Sequence, residues 1–272
     1  MSNEFSIFTS MRYDAKLSGL KSQGHSGKGW NFENESPLYM LDFHRDRLLK
    51  AAKHWGWQPA VDQLSGLDGL SYLTQLITDS VGLCHPTPLK LKIVVSRQGD
   101  IKIEHSSTPE VPIQNLLPSR LPDPSHASQE GDPQRGSGYT LLLDRDSTRR
   151  SEYTHFKTTK RTMYDAARQR AGITYTDPIE VLVINKDNGS VMEGTFTTPY
   201  FWRDGHWVTP PVAAQFSWKE GDGGQDGTSR RWALEQGLVS EQVIGAKSLI
   251  HGEECWISNG VRGFIPATIQ LL

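Results

Sequence analysis

His155-Phe156-Lys157-Thr158-Thr159-Lys160-Arg161, leading into Thr162 to Ala171, is the stretch from which the rest of the chain is read. Taken alone it is a solvated basic turn at the start of a helix. The same residues suit a second chemistry. A Schiff-base lysine must be neutral part of the time and must sit on a fixed element. Burial beside other cations lowers its pKa and makes the amine nucleophilic. Lys160 and Arg161, a helical step from Lys157, can supply that field.

Working outward, the segments on either side alternate between strands and helices. Phe5 to Tyr13 reads as a strand, Ser18 to Glu35 as a mobile Gly-, Ser- and Lys-rich loop, and Pro37 as the start of a helix that Gly56 ends. On that helix His44 and Arg47, at i and i+3, share a face. His44 is read as a packing residue. Gly66 to Gly82 is a second helix, Leu89 to Ser96 an alternating strand, and Gly99-Asp100 the turn of a hairpin into Ile101 to Glu104. From Ser106 to Gly138 repeated prolines with Ser, Gln, Asp and Gly leave little to bury, which predicts a partly disordered connection. Strands are expected at Tyr139 to Leu143, Ile179 to Asn185, Ser190 to Phe196, Pro199 to Trp202, His206 to Pro211, Glu254 to Ser258 and Phe264 to Ala267, with a helix from Thr228 to Gly237. Such a mixture implies an α+β chain in two lobes: residues 1–105, a connection at 106–138, and residues 139–272.

Three further groupings carry chemistry, each with an ordinary alternative. Glu193 in Val191-Met192-Glu193-Gly194-Thr195 is either an exposed strand glutamate or a buried carboxylate turned away from Met192. Gly227-Thr228-Ser229-Arg230 is either a plain helix cap or an anion site made of backbone N–H groups and two hydroxyls. Arg47 is either a surface helix arginine or the guanidinium that grips a phosphate through two donors.

Together these segments resemble the pyridoxal-phosphate (PLP) enzymes of fold type IV, a family of branched-chain and D-amino-acid aminotransferases and 4-amino-4-deoxychorismate lyases. Lys157 to Asp165 is similar to that family's K-T-T-x-R-x-x-Y-D, with Tyr164 and Asp165 completing it. By that register Lys157 carries PLP; Lys160 is the alternative, because Phe156 separates His155 from Lys157 where relatives often have the two adjacent. Glu193 matches the family's E-G-T carboxylate, which keeps the cofactor's pyridine nitrogen protonated. Thr198 stands where the family usually has Asn. Thr228 and Ser229, with Arg47, match the phosphate-binding groups, and Ser258-Asn259-Gly260 resembles the second phosphate loop. Asn259 in that loop is a feature of the lyase branch. Phe8-Thr9-Ser10-Met11-Arg12 resembles the lyases' F-T-T-x-R strand, with Ser10 in the place of the hydroxyl that assists catalysis. Lys102 is a candidate for the place of an arginine seen in bacterial lyases.

The resemblance runs from Phe5 to Ala267, outside the Ser18–Glu35 loop and the Pro-rich connection, and is closest to the fungal-like lyases. It implies the D-amino-acid-aminotransferase-like α+β fold with PLP in the cleft between lobes, and a homodimer. The reaction it implies is elimination from aminodeoxychorismate to give 4-aminobenzoate and pyruvate for folate synthesis. In it Lys157 holds PLP and removes the ring proton, Ser10 helps the leaving oxygen, and Asn259 shapes the substrate or phosphate side. An aminotransferase acting on D- or branched-chain amino acids is the same-class alternative. A non-catalytic PLP-fold interaction protein is the other.

Bulk properties exclude competing classes. Lys and Arg number 29 against 31 Asp and Glu, a balance that argues against a dedicated nucleic-acid binder. No apolar run reaches the roughly 18 residues of a membrane span. Met1 to Ser10 is too short and polar for a secretory signal, so a cytoplasmic protein is expected. Cys84 and Cys255 lie far apart without metal-ligand spacing, which predicts two buried free thiols and no metal. Zinc-protease, nucleophile-elbow and P-loop signatures are absent from the sequence.

Overall fold

The computed structural model describes residues 4–82, 85–124 and 138–271. Cys84 and residues 125–137 of the Pro-rich connection lie outside the described residues. The chain divides into two compact units: Met1–Ile113 with Phe156–Lys160, and Gln114–His155 with Arg161–Leu272.

In the first unit β1 (Ile7–Tyr13) is followed by a short helix α1 (Trp30–Asn34), then α2 (Leu41–His54), α3 (Gln58–Leu64) and α4 (Gly66–Val81). The antiparallel hairpin β2 (Leu89–Val95) and β3 (Ile101–Ser107) completes a three-stranded sheet in the order β1-β2-β3. β2 shows the alternation expected of it: Leu89, Leu91, Ile93 and Val95 are buried and Lys90 is exposed. Gly99, at φ 90°, makes the hairpin turn that a β-carbon would strain.

Two expectations are corrected here. The helix predicted from Pro37 begins at Leu41, because residues 37–39 are already paired with the end of β1. Asp14 N–H donates to Pro37 O at 2.8 Å and Tyr39 N–H to Arg12 O at 3.0 Å. The stretch Ser18–Glu35, predicted to be a mobile loop, contains α1. There Phe32 is buried, and the buried Asn31 amide ties the segment down, donating to Ser36 O and Leu38 O and accepting from Met40 N–H. α3 escaped the sequence reading; its Pro59 stands in the first turn, where a missing N–H costs nothing.

The second unit takes up the chain at Gln114, within α5 (Ile113–Leu116), and continues through β4 (Tyr139–Thr148), α6 (Glu152–His155), α7 (Thr162–Ala171), β5 (Ile179–Asn185), β6 (Val191–Gly194), β7 (Thr198–Arg203) and β8 (His206–Thr209). Then come α8 (Thr228–Glu235), β9 (Ser240–Glu241), β10 (Glu254–Asn259) and β11 (Gly263–Gln270). Eight strands form one mixed sheet in the order β6-β5-β4-β11-β10-β7-β8-β9. α7 has the predicted bounds, and Gly172 ends it in the left-handed region at φ 68°. Asp204 and Gly205, at φ 50° and 82°, make the predicted tight turn between β7 and β8. Leu141, Leu182, Val191, Phe201, Val208 and Ile257 form the core of the sheet; burying each such side chain contributes roughly 1.5–3 kcal/mol.

The described part of the Pro-rich stretch is packed rather than loose. Leu116, Leu117 and Leu121 are buried, Asn115 donates to Phe264 O at 3.0 Å, and Trp207 Nε1 donates to Leu121 O at 3.1 Å. The apolar residues among the prolines supply the burial that the composition alone conceals.

Candidate active site

Lys157 owes its position to backbone pairing within the first unit. Phe8 N–H donates to Lys157 O at 3.0 Å, Thr159 N–H donates to Ser6 O at 2.9 Å, and Ile7 bridges Thr158. The K-T-T segment therefore runs as a short antiparallel strand on the side of β1 opposite β2. Period-2 alternation turns Thr158 to the buried side with Ile7, and Lys157 to the side of Phe8. The lysine Nζ stands 5.1 Å from the centre of the Phe8 ring. Lys160 is elsewhere, its Nζ 5.4 Å from the centre of Phe5.

Thr9 points to the other face of β1 and is fully buried. Its Oγ1 receives both Nε and Nη2 of Arg47, at 3.0 and 2.8 Å, and lies 2.5 Å from Nδ1 of His44. A hydroxyl that accepts twice keeps its own proton for the third partner. Thr9 therefore donates to His44 Nδ1, which places the imidazole hydrogen on Nε2. Burial first, then the charges of Arg47 and Lys157, holds the His44 pKa well below its ordinary value, so the ring is neutral. His44 is thus not simple packing: with Thr9 it fixes the Arg47 guanidinium.

Ser10 is half-buried, on the Phe8 side of β1, and opposite Lys92 of β2. Lys92 Nζ lies 5.8 Å from the centre of Phe8, so two ammonium groups flank that ring. Lys102 is an exposed surface residue paired with Glu104 at 2.8 Å; Lys102 and Lys92 together hold that carboxyl below its usual range.

In the second unit Glu193 is buried on β6, opposite Val183 of β5. Its Oε1 accepts a short hydrogen bond from Tyr164 Oη, and its Oε2 accepts from Gln225 N–H at 3.2 Å. Gln225 Nε2 also donates to the Tyr164 oxygen at 3.2 Å. Burial, then the charge and hydrogen bond of Glu193, push the Tyr164 phenol well above its ordinary pKa. The turn after Glu193 is wrapped around a second buried carboxylate, Glu180. That group accepts from the N–H groups of Thr195 and Phe196 at 3.0 and 3.1 Å and from the hydroxyls of Thr195 and Thr197 at 2.5 and 3.0 Å.

α8 begins at Thr228 behind Gly227, with Thr228 and Ser229 buried. Ser229 Oγ lies 2.8 Å from Ser258 Oγ, which lies 2.7 Å from Tyr200 Oη. The two stretches read as phosphate loops are therefore neighbours. A β-carbon on Gly227 would come within 2.9 Å of Thr198 Oγ1, so Thr198 backs the start of α8 where the family pattern has Asn. Asn259 Oδ1 accepts from the N–H groups of Val261 and Arg262 at 3.0 and 2.9 Å, shaping the turn that holds Gly260. Arg230 turns to Pro210 O at 2.9 Å and to Asp226 and Glu241, and fastens α8 to its surroundings.

The first unit thus gathers Lys157 with Phe8 and Ser10, and Arg47 with Thr9. The second gathers Glu193 with Tyr164, and Thr228 and Ser229 with the loop of Asn259 and Gly260. Gln225, Glu180 and Lys92 were missed. Lys92 and Glu180 lie on strands that were expected and Gln225 on a loop, but only long-range pairing brings these side chains to the site groups. Cys255 is a buried thiol whose pKa burial raises. Among the described residues no acidic, histidine or cysteine cluster is arranged to hold a metal, and no helix is long and apolar enough to cross a membrane.

A Schizosaccharomyces pombe protein assigned as an aminodeoxychorismate lyase is 26% identical over 233 residues, covering 84% of this chain and 83% of that one. The Saccharomyces cerevisiae aminodeoxychorismate lyase is 30% identical over 205 residues, 66% of this chain and 51% of that one, so the match spans about half of the yeast enzyme. A crystal structure from Mesorhizobium loti, assigned as an amino-acid aminotransferase, superposes with a TM-score of 0.64 at 20% identity, over 98% of this chain and 100% of that one. That likeness shows the fold, the fold-type IV α+β architecture expected from the sequence. A family model described as amino-transferase class IV matches residues 29–269, nearly the whole chain, and the protein belongs to that family.

Proposed function

We propose that this protein is a 4-amino-4-deoxychorismate lyase, eliminating enolpyruvate from the substrate to leave 4-aminobenzoate and pyruvate. The observation that carries the reading is the β1 arrangement: a hydroxyl, Ser10, on the same strand face as Phe8, over which Lys157 stands. The likeness to two yeast proteins named for this activity supports it.

The family's cofactor is pyridoxal phosphate, and the residues present fit it. A strand-held lysine amine suits its aldehyde. A buried carboxylate already receiving two donors suits a ring N–H. A helix start with two buried hydroxyls suits a phosphate. In this assignment Lys157 carries the cofactor, Glu193 pairs with its ring nitrogen, and Arg47, Thr228, Ser229, Asn259 and Gly260 serve its phosphate. When bound, PLP supplies an electron sink for the pair left by proton removal. With the cofactor bound, the Lys157 amine is the base that removes the proton from the ring carbon bearing the substrate amine. Glu193 keeps a proton at the cofactor's ring nitrogen. Ser10 presents its hydroxyl to the ether oxygen, which departs with the enolpyruvyl group as the ring becomes aromatic. Lys92, across from Ser10, provides positive charge suited to a substrate carboxylate.

The proposal extends to a twofold homodimer in a reducing cytoplasm, the latter in keeping with a buried free Cys255. An aminotransferase is the second reading, favoured by the family model and the Mesorhizobium loti likeness. Incubating the purified protein with enzymatically made aminodeoxychorismate separates them. 4-Aminobenzoate is expected; turnover of D-alanine or leucine with 2-oxoglutarate and no 4-aminobenzoate replaces the lyase with the aminotransferase.

A further inference from the structure

Tyr164 sits on α7 with its ring sealed in the second unit, and a phenylalanine would fill the same space. A buried hydroxyl needs a partner or it destabilises the fold, and this one is placed with unusual definition. Its single hydrogen has two acceptors in reach: Glu193 Oε1, in a short contact, and Thr154 O at 3.4 Å. The charged, nearer acceptor wins. Gln225 Nε2 donates to the phenol oxygen from 3.2 Å, which turns the phenol hydrogen away from Gln225 and toward the carboxylate. The backbone N–H of Gln225 reaches the other oxygen, so each oxygen of Glu193 accepts a donor from this chain. Arg161 lies 4.7 Å from the centre of the phenol ring and adds positive charge on that side.

Donors to a carboxylate stabilise its ionised form and make it a weaker base. When a carboxylate shares a proton with a ring nitrogen, the weaker base leaves the proton on the nitrogen. We propose that Tyr164 is a positioning residue that acts through Glu193 to hold the shared proton on the cofactor's ring nitrogen rather than on the carboxylate. The inference rests on the reading of Glu193 as the ring-nitrogen partner.

The test uses holoenzyme reloaded with PLP carrying ¹⁵N at the ring position, and reads the ¹⁵N chemical shift in wild type, Tyr164→Phe and Glu193→Gln. In wild type the protonated signal is expected. In Tyr164→Phe it moves toward the unprotonated position, kcat falls about tenfold, the size of a lost hydrogen bond to a charged group, and KM is unchanged. In Glu193→Gln the signal moves further in the same direction. Gln225→Leu leaves the phenol and the backbone donor in place; it is expected to give a smaller shift of the same sign, and it answers the question if Tyr164→Phe does not fold. A shift in Glu193→Gln with none in Tyr164→Phe or Gln225→Leu overturns the role of Tyr164 alone. No shift in Glu193→Gln overturns the reading of Glu193, and the role of Tyr164 falls with it.

Discussion

Phe8 and Lys157 are joined twice: the Phe8 amide donates to the Lys157 carbonyl at 3.0 Å, and the lysine Nζ stands 5.1 Å from the centre of the Phe8 ring. One contact fixes where the lysine backbone runs, and the other fixes the face to which its amine is presented. Lys160, three residues on, shares neither and lies over Phe5.

The carrier of the cofactor is therefore expected to be Lys157. Borohydride reduction of the yellow holoenzyme followed by peptide mapping should recover the adduct on that residue. Lys157→Ala should abolish both the visible band and turnover, whereas Lys160→Ala should keep both. An adduct on Lys160 would reverse the assignment.

Glu193→Gln is expected to leave the protein able to bind PLP while lowering turnover by about 10²–10³-fold, the range for removing a preorganised group that stabilises developing charge. Steady-state kinetics with cofactor content measured on the same sample checks this. A near wild-type rate in fully loaded protein would remove Glu193 from the reaction.

Ser10 and Thr9 are neighbours on β1 that face opposite ways, and their variants should fail differently. Ser10→Ala is expected to slow 4-aminobenzoate formation by at least about tenfold, the lower range for a positioned acid, with the visible spectrum unchanged. Thr9→Val removes the hydroxyl that holds Arg47 and is expected to raise the PLP concentration needed to reload the apoprotein. Equal effects of the two on cofactor affinity would sink the distinction.

His44 supplies a pH signature. Its folded pKa is depressed by burial and by Arg47 and Lys157, so below the unfolded value of about 6.5 the unfolded chain takes up a proton that the folded chain refuses. Stability is then complete above about pH 6.5 and falls by up to about 1.4 kcal/mol per pH unit below it. His44→Asn, which keeps an acceptor for the Thr9 hydroxyl, should flatten that part of the profile. Denaturant unfolding at pH 7.5, 6.0 and 5.0 measures it, and parallel profiles for the two proteins would show that His44 contributes nothing to the pH dependence.

Local order in this chain is set locally. β2 and β5 are legible in alternation and apolar runs, α7 in the span from Thr162 to the stop at Gly172, and the turn between β7 and β8 in Asp204-Gly205. Backbone conformation at these places depends on neighbours a few residues away. The order of motifs resembling the family's likewise picked out Lys157, Glu193 and the Gly227-Thr228-Ser229 helix start as candidates, because each motif is short and contiguous in the chain. Where a segment's partners are remote, the sequence misleads: α2 starts at Leu41 only because residues 37–39 are claimed by β1, and Leu116, Leu117 and Leu121 lie buried in what reads as a loose connection.

Side-chain partnerships across long separations belong to the tertiary structure alone. Tyr164 meets Glu193 across 29 positions and Gln225 across 61, and Thr9 meets His44 across 35. Hydrogen bonds form only within a limited window of distance and angle, so these pairings exist only once whole strands and helices have been packed into register. The sequence could name a carboxylate, a lysine and a hydroxyl. Which proton each of them holds is decided by donors and charges that only folding brings within reach.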